Sequence, residues 1–444
     1  MTWTYTVASE AHRAIVESLA EGETLTQTYR VTLRDNAAGN SKSIVQIITI
    51  TITGTNDAPT LSGTAEASLT DGETLLASGS LTVADIDLTD TVDITISDVS
   101  HDAAALPADL TKADLLAMLQ LGPDDALAET LEDLAADGSG SAFGWTFSAP
   151  NGAFSWLGAG ASLALTYTLT ATDSAGATAT HPVTVTITGS NDAPVITLGL
   201  DQAASAALDE TDAGLVASGS FSVSDIDAGD SLELSISFHE STGATGGLSE
   251  DDLAAMMTAA LADGLAEWTF DSADTAFDHL TAGETLTLVY ALVITDAAGA
   301  TARQEMTVTI TGTNDTAIIE GVAKGKVTED TGLEASGKLT ITDADTGEAL
   351  FTAIPANSLG TAGHGQFAMD DQGNWTYALN PEDPDVQALP AGETLTDTIT
   401  VTSLDGGTSQ IITVTITGTN DGAAIDGTSK GSIAEDAVAP SPAR

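Results

Sequence analysis

The chain has 444 residues, with 11 Lys and Arg against 65 Asp and Glu, for a formal net charge of −54. A surface this acidic repels nucleic-acid phosphates and anionic lipid headgroups and attracts cations. Hydrophobic residues make up 42%, enough for packed cores rather than a disordered acidic tail, and with aromatics at 4% those cores must consist mostly of Val, Ile, Leu and Ala.

The length leaves room for roughly three or four domains. Cysteine is absent, so neither disulfides nor thiolate metal sites brace the fold, and a divalent ion is the natural substitute in a secreted protein. No run of about 18 apolar residues offers a helical membrane span. The opening residues MTWTYTVASEAHR lack the apolar core of a cleavable leader, which does not by itself place the chain in the cytoplasm.

In chain order, the sequence starts at Trp3-Thr4-Tyr5, passes Gly22-Glu23 and reaches TITGTNDAP at Thr51–Pro59. The same nine-letter signature returns as TITGSNDAP (Thr186–Pro194), TITGTNDTA (Thr309–Ala317) and TITGTNDGA (Thr415–Ala423). Its asparagines, Asn56, Asn191, Asn314 and Asn420, are more than about 100 residues apart, the mark of a domain array. Each signature is followed by an acidic turn: Asp71-Gly72-Glu73, Asp209-Glu210, Glu329-Asp330, and Glu435-Asp436 near the end. A strand-like run then closes on a D-x-D pair: SGSLTVADID ending at Asp87, SGSFSVSDID at Asp227, SGKLTITDAD at Asp345. A Trp-Thr-aromatic element comes next, at Trp145, Trp268 and Trp375. The segment LTAGETLTLVYALVITDAAGA, Leu280–Ala300, has counterparts beginning at Leu19, Leu157 and Leu389, and a last alternating strand leads into the next signature.

In VTVTITGS, Val183, Val185 and Ile187 share one face and Thr184, Thr186 and Thr188 the other, the period of a half-buried antiparallel strand. Six or seven such runs per repeat, joined by Gly, Asp and Asn turns, predict an all-β chain built as a tandem array of immunoglobulin-type sandwiches. The expected modules are 1–57 (the end of one), 58–192, 193–315 and 316–421 (complete), and 422–444 (the start of another), which suggests an excerpt of a longer array or ends set by other boundaries. Two modules carry short helical insertions, at about 107–138 and about 247–264. In the first, Thr111 and Asp114 are spaced as a capping box, with Leu115, Met118 and Leu119 on one helical face. In the second, Ser249 and Asp252 repeat the box, Leu253, Met256, Met257, Ala260 and Leu261 form the stripe, and Gly264 ends the helix.

Strand counting places the acids. Fifteen residues separate Asn314 from Glu329, and fourteen more reach Asp343; at about 3.3 Å per residue each leg spans a sandwich, so Glu329 lies at the far pole and Asp343 and Asp345 return beside Asn314. The same count carries Asn56 to Asp71 and back to Asp85 and Asp87. Glu284 begins a strand that ends at Asp296, so these two lie at opposite poles. Every joint should therefore collect an acidic turn and a Gly-Glu glutamate from the module above, Asn-Asp from the linker, and a D-x-D pair and a Thr-Asp aspartate from the module below. About six or seven oxygen donors suit Ca²⁺ better than the strict octahedron of Mg²⁺, and the ion would stiffen the joint.

LTVADID, GETLTQTYRVTLRD and TITGTNDAP together resemble the VCBS repeat of large bacterial surface and RTX-type adhesins, and HGQFAMDDQGNWTYAL, His364–Leu379, resembles it most closely. The modules are also similar to cadherin modules, whose D-x-D pair, strand-start glutamate and Asn-Asp linker hold interdomain calcium. That resemblance assigns Asn56, Asp57, Asp85, Asp87 and Asp173 to the first joint, and Asn191, Asp192, Asp225, Asp227 and Asp296 to the second. It assigns Glu210, Glu284, Asn314, Asp315, Asp343, Asp345 and Asp405 to the third, and Glu329, Glu393, Asn420 and Asp421 to the last. The second joint departs from the pattern, with Ala161 in place of the Gly-Glu glutamate and Asp71 where glutamate is expected, so weaker metal binding is expected there.

The resemblance implies a calcium-stiffened extender of a secreted or cell-surface adhesin, exported by a C-terminal signal outside this stretch, with calcium as the ligand and a polysaccharide or a host or biofilm surface as a partner of the parent chain. An array of polysaccharide-binding modules with exposed Trp145 or Trp268, and accessory repeats of a secreted enzyme, stay open as alternatives. Within the chain itself no phosphate loop, HExxH or GxSxG elbow occurs, and acids repeated in every module read as structure, so no enzyme is expected here.

Overall fold

The alternating threonine-rich strands pair as their period requires in a computed structural model that describes residues 2–430 apart from 37, 40, 123–129, 136–139, 201, 424 and 428–429. Strand Thr178–Thr188 buries Val183, Val185 and Ile187 completely while its threonines face outward. Three separate hydrophobic cores follow one another along the chain, within 65–187, 215–310 and 327–416. Each lies between two sheets.

In the second complete module one sheet runs Val195–Thr197, Val216–Ser224, Leu265–Asp271, Met257–Ala262, and the other Ser205–Asp209, Thr301–Thr311, Thr285–Thr295, Glu233–Thr242. The short strand Ser205–Asp209 pairs in parallel with the last strand, Ser205 opposite Thr307, whereas its sheet neighbours are antiparallel. Glu66–Thr70 and Lys324–Thr328 make the same parallel pairing in the other two complete modules. Ahead of them, Thr24–Arg34 and Ser43–Thr53 form a two-stranded antiparallel sheet.

A tryptophan centres each core. Trp145, Trp268 and Trp375 are each 1% exposed, so the first two offer no ring face to a sugar. Each indole lies over the glycine of the preceding S-G-S or S-G-K strand: a Cβ at Gly79, Gly219 or Gly337 would come within 2.6 Å of the ring.

The insertions are only partly helical. Both capping boxes form, at Thr111/Asp114 and Ser249/Asp252, but the helices are short, Lys112–Ala117 and Glu250–Ala255. Met257–Ala262 is a strand antiparallel to Leu265–Asp271, and Leu119–Leu121 pairs likewise with Ser141–Ser148. The expected helical stripe through Met257, Ala260 and Leu261 is therefore corrected. Asp263 and Gly264 both have positive φ, 51° and 74°, so the Asp-Gly pair read as a helix end is a two-residue hairpin turn. Residues 123–129 and 136–139 of the first insertion lie outside the described residues.

The signature glycine has a specific mechanical task. In all four copies it exchanges two main-chain hydrogen bonds with the Gly-Glu loop: Gly283 N–H donates to Gly312 O at 2.9 Å and Gly312 N–H to Glu284 O at 2.8 Å, with equivalents at Gly22/Gly54, Gly160/Gly189 and Gly392/Gly418. A Cβ on Gly54, Gly189, Gly312 or Gly418 would sit 2.0–2.5 Å from a main-chain oxygen of that loop. This clamp fixes the point at which one sandwich ends and the linker begins.

Candidate metal centres at the module joints

The linker Asn-Asp is held in the same way at three joints. Asn56 Nδ2 donates to Asp173 Oδ2 at 2.9 Å, Asn191 Nδ2 to Asp296 Oδ2 at 2.8 Å, and Asn314 Nδ2 to Asp405 Oδ2 at 3.2 Å. The next main-chain N–H, of Asp57, Asp192 or Asp315, donates to Asp87, Asp227 or Asp345 at 2.8–2.9 Å. That aspartate's own N–H then donates to the first acid of the pair, Asp85, Asp225 or Asp343. The D-x-D segment thus folds into a turn beneath the linker.

The turn brings in a residue that the sequence reading missed. Asp85, Asp90 and Asp173 approach one another within 4.8 Å, as do Asp225, Asp230 and Asp296, and Asp343, Glu348 and Asp405. The third acid of each motif, D-x-D-x-x-D or D-x-D-x-x-E, supplies Asp90, Asp230 and Glu348; its recurrence at fixed spacing was a usable signal. Asp87, Asp227 and Asp345 stand beside these trios and anchor the linker.

At the Asn314 joint the module above adds a second trio, Glu210, Asp212 and Asp315, again within 4.8 Å. Glu210 N–H pairs with Thr311 O at the end of the last strand, and its Oε2 accepts from Thr313 Oγ1 at 2.9 Å. Asp278, from the loop before the Gly-Glu turn, faces Glu210 and Asp212. Neither Asp212 nor Asp278 recurs as an aspartate in the other modules, so no repeat signal marked them. Glu329 repeats the Glu210 position, accepting from Thr419 N–H at 3.1 Å beside Asn420, whose Nδ2 donates to Asp421 O. Glu435 and Asp436 lie outside the described residues.

The Gly-Glu glutamates are at the joint, but their carboxylates turn back. Glu284 Oε2 accepts from Thr281 N–H at 3.4 Å and Glu23 Oε2 from Ala20 N–H at 3.2 Å, while the main-chain carbonyls of Glu284 and Glu393 serve the glycine clamp. None of these side chains belongs to a trio among the described residues. Ala161 offers the same carbonyl, which explains why an alanine fits there.

Direct contact between modules also repeats. The N–H after each D-x-D pair donates across the joint to the loop before the Gly-Glu turn: Leu88 to Ser18 O at 3.5 Å, Ala228 to Trp156 O at 2.9 Å, and Thr346 to His279 O at 3.2 Å.

Several of these acids are almost fully buried. Asp87, Asp85, Glu210, Asp345, Asp227 and Glu329 are 0–3% exposed. Oxygens with no donor in reach include Asp85 Oδ2, Asp87 Oδ1, Asp225 Oδ2, Asp227 Oδ1, Glu210 Oε1, Asp315 Oδ2, Asp343 Oδ2, Asp345 Oδ1 and Glu329 Oε1. Leaving so many buried carboxylate oxygens unpaired is costly unless a cation or proton compensates. Burial, then the charges of Asp57, Asp90 and Asp173, pushes the Asp87 carboxyl up; burial with Asp225, Asp192 and Asp230 does so for Asp227. Asp345 is raised by burial and by Asp343, Glu210 and Asp405, so it feels both trios. Asp315 is pushed up to about 7, by burial first and then by Glu210 and Asp212. Asp296, in contrast, is held low by its hydrogen bond from Asn191. The donor set, all oxygen and mostly carboxylate, fits a hard divalent ion such as Ca²⁺.

Fold and joints together define a tandem array of β-sandwiches of the immunoglobulin and cadherin type. Residues 314–420, from Asn314 to Asn420, match the family described as the bacterial cadherin-like domain. Among solved structures, the chain is similar to Drosophila N-cadherin EC1-4, with 13% identity over 89% of this chain and 84% of that one and a TM-score of 0.30. It is likewise similar to protocadherin gamma B2 extracellular cadherin domains 1-5 (12%, 90% and 67%, TM-score 0.41) and to mouse cadherin-23 EC22-24 (12%, 82% and 99%, TM-score 0.36). No curated protein matches the chain significantly.

Proposed function

We propose that this chain is a calcium-stiffened extender segment of a secreted or cell-surface bacterial adhesin of the VCBS and RTX type, holding a binding tip away from the cell. The carrying observation is the recurrence, at Asn56, Asn191 and Asn314, of one hydrogen-bonded frame around buried carboxylates whose free oxygens have no donors. Its modules are taken as 58–192, 193–315 and 316–421, flanked by parts of two others at 1–57 and 422–444. Calcium neutralises the carboxylates at each joint, so adjacent sandwiches become one rod; adhesion to polysaccharide or a host or biofilm surface belongs to other parts of the parent chain. Affinities of the order of 10⁻⁴–10⁻³ M, typical of extracellular calcium modules, would keep the joints filled only outside the cell. A role in stacking sugars on Trp145 or Trp268 has no support, since both rings are buried.

Small-angle scattering of the full chain with calcium and with chelator tests the reading. A larger maximum dimension with calcium is expected, and Asp343→Asn with Asp345→Asn should remove part of that gain. Asparagine at 345 keeps an acceptor for the Asp315 N–H, so the change removes charge while sparing the frame. Identical scattering curves with and without calcium would sink the proposal.

A further inference from the structure

The joints are not equivalent. At Asn314 the module above contributes Glu210, Asp212 and Asp278, and Glu210 is 1% exposed with Oε1 lacking any donor while its partner Oε2 is bonded. At Asn191 the equivalent main-chain bond, Asp71 N–H to Thr188 O at 2.8 Å, puts Asp71 in the place of Glu210. Aspartate is one methylene shorter, and no side-chain bond joins it to Ser190, the counterpart of Thr313. Glu73 stands in the place of Asp212 and is exposed; Ser155, two residues before Leu157, replaces Asp278, two before Leu280. Among the described residues no carboxylate trio forms on this side of the Asn191 joint, whereas the trio on its other side, Asp225, Asp230 and Asp296, is intact.

We infer that, of the two joints between complete modules, the Asn191 joint binds cation only on the side of the following module and is the more compliant, while the Asn314 joint is filled on both sides and is stiff. A joint cross-linked on one side keeps the linker frame but leaves the upper sandwich free to tilt about the cross-joint bond from Ala228 N–H to Trp156 O. The inference rests on the calcium reading and ranks the Asn191 linker as easier to bend than the Asn314 linker.

The absence of cysteine lets spin labels be placed without background. Exposed Gln120, Thr258 and Gln366 lie on strands of the three complete modules, so Gln120→Cys with Thr258→Cys spans the Asn191 joint and Thr258→Cys with Gln366→Cys spans the Asn314 joint. Distance distributions by pulsed electron resonance on the full chain should narrow with calcium across Asn314 and stay broad across Asn191. Asp71→Glu with Ser155→Asp should add about one bound calcium in calorimetric titration and narrow the Asn191 distribution. Equal narrowing at both joints of the parent chain overturns this ranking but leaves the calcium reading standing. An Asn191 distribution already narrow in chelator overturns it too, since the joint would be clamped without any ion. No response at either joint removes both.

Discussion

Asp315 illustrates how a single residue can be caught between two demands. Its main-chain N–H is committed to Asp345, while its carboxylate is pressed against Glu210 and Asp212. The carboxyl is pushed up to about 7, whereas an ordinary aspartate in the unfolded chain titrates near 3.9. Between those values the folded joint retains a proton that the unfolded chain has lost, so the ion-free joint loses stability as pH rises through this window. In chelator, scanning calorimetry should therefore show the melting temperature rising as pH is lowered from about 7.5 to about 5.5, and Asp315→Asn should flatten that slope. With calcium present the sign changes, because protons compete for the ligand oxygens and acidification weakens binding. A chelated chain whose stability does not respond to pH in this range would contradict the burial described for these acids.

At the scale of elements, the signature TITG(T/S)N owes its constancy to two different physical needs. Thr and Ile alternate because one face of the strand is core; glycine follows because the Gly-Glu loop presses against it. Gly312→Ala should destabilise its module by about 2 kcal/mol or more, since the new Cβ would meet the main-chain oxygens of Leu280 and Thr281 at 2.3 Å and neither can yield without breaking the clamp. Glu284→Ala should cost only about 1 kcal/mol or less, because the clamp uses the carbonyl and the side chain makes only two long bonds, both from Thr281 within its own loop. Urea denaturation of the two variants, with calcium titration of the second, separates the two roles. A fall in bound calcium on Glu284→Ala would restore that side chain to the ligand set. The insertions carry a parallel lesson. Capping boxes announce where Lys112–Ala117 and Glu250–Ala255 begin, but the apolar residues after them serve a strand as readily as a helix, and the Asp263-Gly264 turn decided for the strand.

For the whole molecule, the net charge of −54 opposes any close approach of one module to the next. On the proposed calcium reading, calcium at about 100 times its dissociation constant would contribute about 2.7 kcal/mol per site to the bound state, which for a module of some 100 residues corresponds to a melting shift of about 10–20 °C. Differential scanning calorimetry should show this upward shift on adding calcium, while sodium chloride, which screens charge without filling the joints, should produce only a small part of it. Equal effects of the two salts at matched ionic strength would mean that charge screening, rather than site binding, holds the joints.

Taken alone, the sequence determined the all-β repeat, the cores and the pairing of the first three Asn-Asp pairs with a D-x-D thirty or so residues later, because strand period and strand length are local properties fixed by side-chain alternation and rise per residue. It also led, through Ala161 and Asp71, to the expectation of weaker metal binding at the Asn191 joint. Only the tertiary structure decided which carboxylates meet. Asp90, Asp230 and Glu348 enter because the D-x-D segment bends under a linker hydrogen bond, Asp212 and Asp278 because two loops of one module converge at its pole, and the Glu284 carboxylate stays out because it turns back onto Thr281. Those choices depend on loop conformation and on contacts between distant segments, which neither residue spacing nor periodicity encodes.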